Sequence, residues 1–259
     1  VSGDSIDLAL STEEAERVYQ VWPDLKTTCP TCANKGTYRW QGKDRNCDCQ
    51  RQKQLAKHYT AAGIGKIFQR SSVADWHGDE EAYKAVDHYL QNWEAYVDRG
   101  MGVILWGPLG TGKTFLANMI LKHLVRQGVR CYATTFSKMI EAFTATWGDK
   151  SKKQWFEDRF MYTQVLLLDD LGKEGRSSHN LPQTTFDHIL RDRAQNARPT
   201  ILTTNIEPDN LDLGYGGAVL SQLKRSCFHV EVKGADYGLI NFRLENDEVD
   251  VGEKRRPIV

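Results

Sequence analysis

The chain is expected to be an α/β protein: a parallel five-stranded sheet between helices, preceded by a small N-terminal zinc-binding module. Three observations predict this. Short apolar, strand-like runs alternate with helical patterns from Gly102 onward. One glycine-rich loop of the form G-x-x-x-x-G-K-[ST] joins such a run to such a helix. Four of the six cysteines, Cys29, Cys32, Cys47 and Cys49, crowd into one short stretch near the N-terminus. Continuous apolar strands between helices are the mark of a parallel sheet covered on both faces.

The elements follow in order. Ser11-Thr12-Glu13-Glu14 reads as a helix start, and the helix is expected to reach Val21. The cysteine stretch carries turn residues and short strands. Gln50 to Ala62 reads as helix, and Glu80 to Arg99 as one long helix. The five core strands are expected at Val103–Trp106, Arg130–Ala133, Val165–Leu168, Thr200–Thr203 and Phe228–Val232. Helical patterns lie between them at Lys113–Arg126, Ser137–Trp147 and Pro182–Asn196. The expected regions are an acidic N-terminal helix (1–26), a four-cysteine zinc-binding partner module (27–62), the main domain (63–245) and a charged tail (246–259).

Composition narrows the function classes. Over 259 residues, 34 Lys and Arg balance 34 Asp and Glu, so no uniformly basic nucleic-acid coat exists. The balance hides blocks: Lys26 to Arg70 holds ten basic residues and two acids, whereas Asp4 to Asp24 and Asp75 to Asp98 are acidic. Such blocks separate in space if their segments fold apart. No apolar run approaches the roughly 18 residues of a membrane span. The acidic N-terminus lacks the apolar core of a secretion signal, and a cytoplasmic location is expected.

The glycine-rich loop is Gly107-Pro108-Leu109-Gly110-Thr111-Gly112-Lys113-Thr114, followed by Phe115. Glycines let successive N–H groups turn toward phosphate oxygens, and the following helix adds its positive end. Lys113 is expected to reach the β- and γ-phosphates of ATP, and the Thr114 hydroxyl to bind Mg2+. Val165-Leu166-Leu167-Leu168-Asp169-Asp170 is an apolar strand ending in two acids. Asp169 would hold the Mg2+ shell, and Asp170 would orient or deprotonate the attacking water. Asp170 is one methylene shorter than glutamate, so slow turnover is expected. Thr203-Thr204-Asn205 ends the fourth strand, where Asn205 could reach the γ-phosphate or its water; Asn in such a place is also a common turn residue. Ile67-Phe68-Gln69-Arg70 precedes the core at a distance that suits an adenine contact.

Cys29-x-x-Cys32 and Cys47-x-Cys49 read as four thiolate ligands for a closed, structural tetrahedral Zn2+ site. Disulfides, unconnected thiols and an iron–sulfur cluster are the alternatives. Cys131 and Cys227 lie in expected strands and read as buried apolar residues. Tyr38 and Trp40 sit among basic residues between the cysteine pairs, which suits either an acidic protein or single-stranded nucleic acid.

The loop Gly107–Thr114, the Leu-Leu-Leu-Asp-Asp-Leu-Gly segment ending at Gly172, Ile189-Leu190-Arg191-Asp192-Arg193 and Arg198-Pro199-Thr200-Ile201-Leu202-Thr203-Thr204-Asn205 together resemble the DnaC/IstB branch of AAA+ ATPases. The likeness covers about Ile64 to Phe242, and the cysteine-bearing front end is most similar to DnaC-type replicative helicase loaders. It implies a P-loop AAA+ core with a reduced or absent helical lid. It also implies a bacterial or phage origin and an ATPase that loads a DnaB-like replicative helicase onto single-stranded DNA. The N-terminal module would hold the helicase, and ATP would favour self-association.

Two departures stand out. The resemblance implies arginines near Gly216–Leu223, yet Ala218 and Gln222 occupy those positions; Lys224 and Arg225 lie just beyond as substitutes acting on a neighbour's nucleotide. A further arginine is expected where Gly238 stands. Candidate DNA contacts implied by the resemblance are Phe143, in a stretch with Trp147, Lys150, Lys152, Lys153 and Trp155, and Lys173, Arg176, Ser177 and His179 after the Asp-Asp strand. Trp147 and Trp155 could equally cap apolar core. Two rival functions share the ATPase core: an IstB-like transposition ATPase on duplex DNA, and a nucleotide-gated adaptor with negligible hydrolysis.

Overall fold

A computed structural model describes residues 10–172, 181–236 and 257–259. The chain divides into two compact units, one of residues 1–72 with 254–259, the other of residues 73–253.

The first unit begins with α1 (Thr12–Val21). Its N-terminus is the expected one: the Ser11 hydroxyl accepts the Glu14 amide, and the Glu14 carboxylate accepts the Ser11 amide. This reciprocal pair satisfies two amides that the helix cannot. A hairpin follows, β1 (Thr37–Trp40) and β2 (Lys43–Asn46), antiparallel, with Tyr38 opposite Arg45 and Trp40 opposite Lys43. Then come α2 (Asp48–Ala61) and the short α3 (Lys66–Gln69). The unit reaches past the boundary expected at 62/63. The reason is Trp22, buried with its indole N–H donated to Gln69 Oε1 at 2.8 Å and the Arg70 guanidinium 4.1 Å over its ring. Arg70 also pairs with Asp24. The segments 1–26 and 27–62, expected to be separate, are therefore parts of one unit; Lys57 pairs with Glu14 at 2.8 Å across α2 and α1.

The second unit opens with α4 (Glu80–Gln91) and α5 (Trp93–Asp98), where the sequence predicts one helix. Asn92 breaks it: its backbone leaves helical geometry (φ −118°, ψ 20°), and its side-chain amide donates to the His88 carbonyl at 2.9 Å. Asn competes with the helix backbone in this way. Five strands follow, β3 (Gly102–Trp106), β4 (Cys131–Thr135), β5 (Val165–Leu171), β6 (Thr200–Thr204) and β7 (Cys227–Glu231). They form one parallel sheet in the order β4-β5-β6-β3-β7. The helices between them are α6 (Lys113–Arg126), α7 (Phe136–Thr144), α8 (Lys150–Phe156), α9 (Leu181–Gln195), α10 (Asp212–Tyr215) and α11 (Gly217–Ser226). The sequence pattern does not predict α8 or the π-helical turn Glu157–Met161, because the polar-rich residues between aromatics carry no clear period.

Ile104, Leu166, Leu168 and Leu202 from the central strands pack with Phe136, Phe186, Ile189 and Leu190 in one buried core. Cys131 and Cys227 are buried as expected, and burial pushes both thiols up to about 12. Among the described residues no helix is long and apolar enough to cross a membrane. The expected reduction of the lid falls largely on residues outside those described.

Candidate functional site

The glycine-rich loop leaves β3 and enters α6, as its motif requires. Gly107 takes φ 143°, and a Cβ there would lie 2.3 Å from the Val232 carbonyl oxygen. Gly112 takes φ 89° and lies against Trp76, whose ring a Cβ would meet at 2.5 Å. Both conditions exclude a side chain. Thr111 is fully buried, its hydroxyl donated to the Pro108 carbonyl at 3.0 Å, which pins the turn. Leu109 stands exposed at the loop tip. Lys113 is buried, with Nζ 2.9 Å from the Gly107 carbonyl and also donating to Pro108. The ammonium is thus held beneath the curl of the loop. No acid of α6 itself lies in its first turn, so the carboxylates at its positive end come from other elements.

The acids of β5 stand beside this loop. Thr114 Oγ1 donates to Asp169 Oδ1 at 2.9 Å, joining the loop's terminal hydroxyl to the first acid. This donor set fits a hard divalent cation bound with nucleotide phosphates. Thr203 Oγ1 donates to the same Asp169 oxygen at 2.5 Å and accepts the Asp170 amide at 2.9 Å. The local register explains the geometry. Leu168 pairs with Leu202 and Leu171 with Thr204, so Asp169 and Asp170 together oppose Thr203 in a bulge. Asp170 consequently adopts the left-handed region, φ 61°. A bulge re-aims side chains and is unusual between parallel strands. Asn205 follows directly after β6 and is half-buried; the neighbouring Ile206 amide donates to Thr204 Oγ1 at 3.1 Å, which turns the chain there.

Three site residues escape a reading of the sequence. Thr203 stands out there only as part of a motif; its signal is a hydroxyl within an apolar-rich strand, which must find a partner once that strand is buried. Trp76 stacks on Phe115 with centroids 5.7 Å apart, so an aromatic wall adjoins the loop. Asp236 brings a carboxylate against Gly110, where a glycine Cβ would meet its Oδ1 at 1.9 Å. Nothing near it in sequence predicts that approach. The stretch Ile67–Arg70, expected as an adenine contact, lies in the first unit.

The remaining candidates divide. Lys224 and Arg225 sit exposed on α11; Lys224 pairs with Asp209 at 2.6 Å and Arg225 donates to Gln222 at 3.3 Å. Phe143 is half-buried with its ring edge against Phe156, 5.5 Å between centroids, whereas Trp147 is 66 % exposed and Trp155 45 % exposed. Lys173, Arg176, Ser177, His179 and Gly238 lie outside the described residues.

The cysteines meet as the spacing requires. The four Sγ atoms lie within 4.8 Å of one another, with Cys29–Cys47 at 3.6 Å and Cys32–Cys49 at 3.4 Å. These separations exceed the roughly 2.05 Å of a disulfide. They match the edges of about 3.8 Å of a tetrahedron with 2.3 Å metal–sulfur bonds. Burial opposes ionisation of Cys29, yet the Cys32 and Thr31 amides and the neighbouring thiols bring it to about 6. Burial and the adjacent sulfurs push Cys49 up instead. Four adjacent thiolates need a cation to coexist, so the cluster fits a closed metal centre and no open catalytic one.

Similarity to known proteins agrees with the site. A family model described as IstB-like ATP binding protein matches residues 72–244, a span that includes the loop, both acids and Thr203. The chain belongs to the IstB-like ATP-binding family. An ATP-binding protein in an insertion sequence of Mycobacterium tuberculosis is 31 % identical over 117 residues, covering 44 % of this chain and 45 % of that one. The replicative helicase loader DnaI of Bacillus subtilis is 24 % identical over 148 residues, covering 57 % of this chain and 46 % of its own. The matched segments thus span less than half of either curated relative. The crystal structure of the DnaC helicase loader shares the fold with a TM-score of 0.57 at 23 % identity, covering 65 % of this chain and all of that one. The core of an IstB-like ATP-binding protein, with the fold of the DnaC helicase loader, is therefore the frame for the site.

Proposed function

We propose that the chain is an ATP-switched DNA replication ATPase that binds a DnaB-like replicative helicase through its N-terminal unit and loads it onto single-stranded DNA. The observation that carries this reading is the pairing of a four-cysteine module with an IstB-like ATP-binding core. The core alone serves either DNA process, whereas a stapled front module supplies a separate docking surface. Zn2+ is the proposed occupant of Cys29, Cys32, Cys47 and Cys49, since four thiolates without an open position suit it best.

In the ATPase step, Lys113 and the loop amides hold the β- and γ-phosphates. Thr114 and Asp169 would hold Mg2+, which would supply positive charge against the phosphates. Asp170, aimed by the bulge, orients the attacking water or takes its proton, and Asn205 contacts that water or the γ-phosphate. Turnover is slow, because Asp170 is short and neither Ala218 nor Gln222 supplies a cation. Lys224 or Arg225 would have to leave its present partner to act on a neighbouring subunit. Phe143, Trp147 and Trp155, with the post-strand residues Lys173, Arg176, Ser177 and His179, are the proposed DNA contacts.

A second reading is supported by the insertion-sequence relative: an IstB-like transposition ATPase that acts on duplex DNA. Binding anisotropy with a single-stranded oligonucleotide and a duplex of equal length, with and without ATP·Mg2+ at fixed salt, separates the two. ATP-dependent preference for the single strand supports loading. Preference for duplex supports the transposition reading. Binding of neither, with ATP bound but not turned over, leaves a nucleotide-gated adaptor.

A further inference from the structure

Residues 257–259 belong to the N-terminal unit, although they follow the ATPase core in sequence. Ile258 is 1 % exposed, while the adjacent Pro257 is exposed. One side chain pairs with both main-chain groups of Ile258. The Ile258 amide donates to Gln52 Oε1 at 2.6 Å, and Gln52 Nε2 donates to the Ile258 carbonyl at 3.0 Å. A carboxamide that gives and takes in this way copies one rung of a β-ladder and reads main chain. The next residue is also held: the Val259 amide donates to the Gln69 carbonyl at 3.2 Å, and Tyr59 Oη donates to the Val259 carbonyl at 3.1 Å. Both supports are themselves fixed. Tyr59 is fully buried on α2, and the Gln69 side chain bridges the Trp22 indole and the Ile64 carbonyl.

Main-chain pairing to two successive residues, with a buried β-branched side chain between exposed and half-buried neighbours, is how grooves recognise extended peptides. We propose that α2 and α3 form a recognition groove for an extended apolar segment, and that Pro257-Ile258-Val259 of the same chain occupies it as a plug. A groove filled in cis binds a second segment only in the fraction of molecules whose plug has left. Any partner that uses this face must therefore displace Ile258. The inference stands on the N-terminal unit alone and does not depend on which DNA process the ATPase core serves.

The test uses the full chain and a fluorescent peptide of residues 253–259 as probe, read by anisotropy. Ile258→Asp in the protein empties the groove, so this variant should bind the wild-type peptide at least about tenfold more tightly than wild-type protein does. Adding Gln52→Ala to that variant should abolish binding. Equal affinity of wild type and Ile258→Asp, or no binding by either, overturns the proposal. Should Ile258→Asp lose its fold by circular dichroism, hydrogen exchange of the wild-type protein decides. Protected Ile258 and Val259 amides that lose protection in a folded Gln52→Ala variant support the plug; free-coil exchange in wild type overturns it.

Discussion

The Thr203 hydroxyl lies 2.5 Å from Asp169 Oδ1 and also accepts the Asp170 amide, so one buried side chain on β6 holds both acids of β5. The bulge that opposes two acids to one threonine makes this possible. Thr203→Val keeps the shape and removes the hydroxyl. It leaves the Asp170 amide without this partner, at a cost of about 1–3 kcal/mol to stability in urea unfolding. Steady-state ATP hydrolysis should fall at least about tenfold, with nucleotide affinity changed less than about threefold, the signature of an interaction used in the chemical step. Wild-type turnover would show that Asp169 is positioned without β6.

Asp170 carries φ 61°. Asn tolerates that conformation, so Asp170→Asn should unfold within about 0.5 kcal/mol of wild type. It should still bind ATP, and its turnover should drop about 100-fold through loss of the carboxylate. Calorimetric binding beside phosphate release reads both quantities. Undiminished release would remove Asp170 from the mechanism.

Asp236 holds a negative charge against Gly110, where phosphate is expected. Asp236→Ala should tighten ADP binding by up to about fivefold, the scale of an exposed charge pair. The gain should shrink as salt rises. Trp76, next to Gly112 and Phe115, provides the fluorescence signal. Weaker binding in the variant would mean that the carboxylate assists the nucleotide.

Arg193 is fully buried, and its guanidinium donates to the carbonyls of Phe160, Thr163, Gln164 and Pro199 and to Thr200 Oγ1. It ties α9 and the turn before β5 to the start of β6. Arg193→Met strips this donor from those carbonyls, of which Pro199's keeps the Leu166 amide, and should destabilise the core at about 1–3 kcal/mol for each acceptor left unsatisfied. Arg193→Lys should not rescue it, because one ammonium cannot span a planar fork of acceptors. A thermal midpoint near wild type for either variant would refute this role.

Removal of metal with a strong chelator should unfold the N-terminal unit while ADP affinity stays within about twofold, since the nucleotide residues lie in the other unit. Cys47→Ser should reproduce that result without chelator. Zinc content by atomic absorption should be near one per chain before treatment and near zero after it.

The helix start at Ser11, the phosphate loop, the Asp-Asp strand and the cysteine pairs were legible because each is local: cap, turn and ligand spacing are set within a few residues. Asn92 shows where that fails. The pattern around it is helical on both sides, yet its backbone leaves helical geometry there while its side chain bonds the His88 carbonyl. Trp22 shows a second kind of failure, since its partners Gln69 and Arg70 are remote in sequence and decide where the unit stops.

By itself, the amino-acid order determined that this chain is an α/β ATP-binding protein with a cysteine-rich front end, because strand period, loop glycines and thiol spacing act at short range. Tertiary structure alone decided that Thr203 grips Asp169, that Asp236 reaches Gly110 and that Ile258 sits on Gln52. Those pairs are brought together by parallel strand register and chain return, and no local propensity encodes either one.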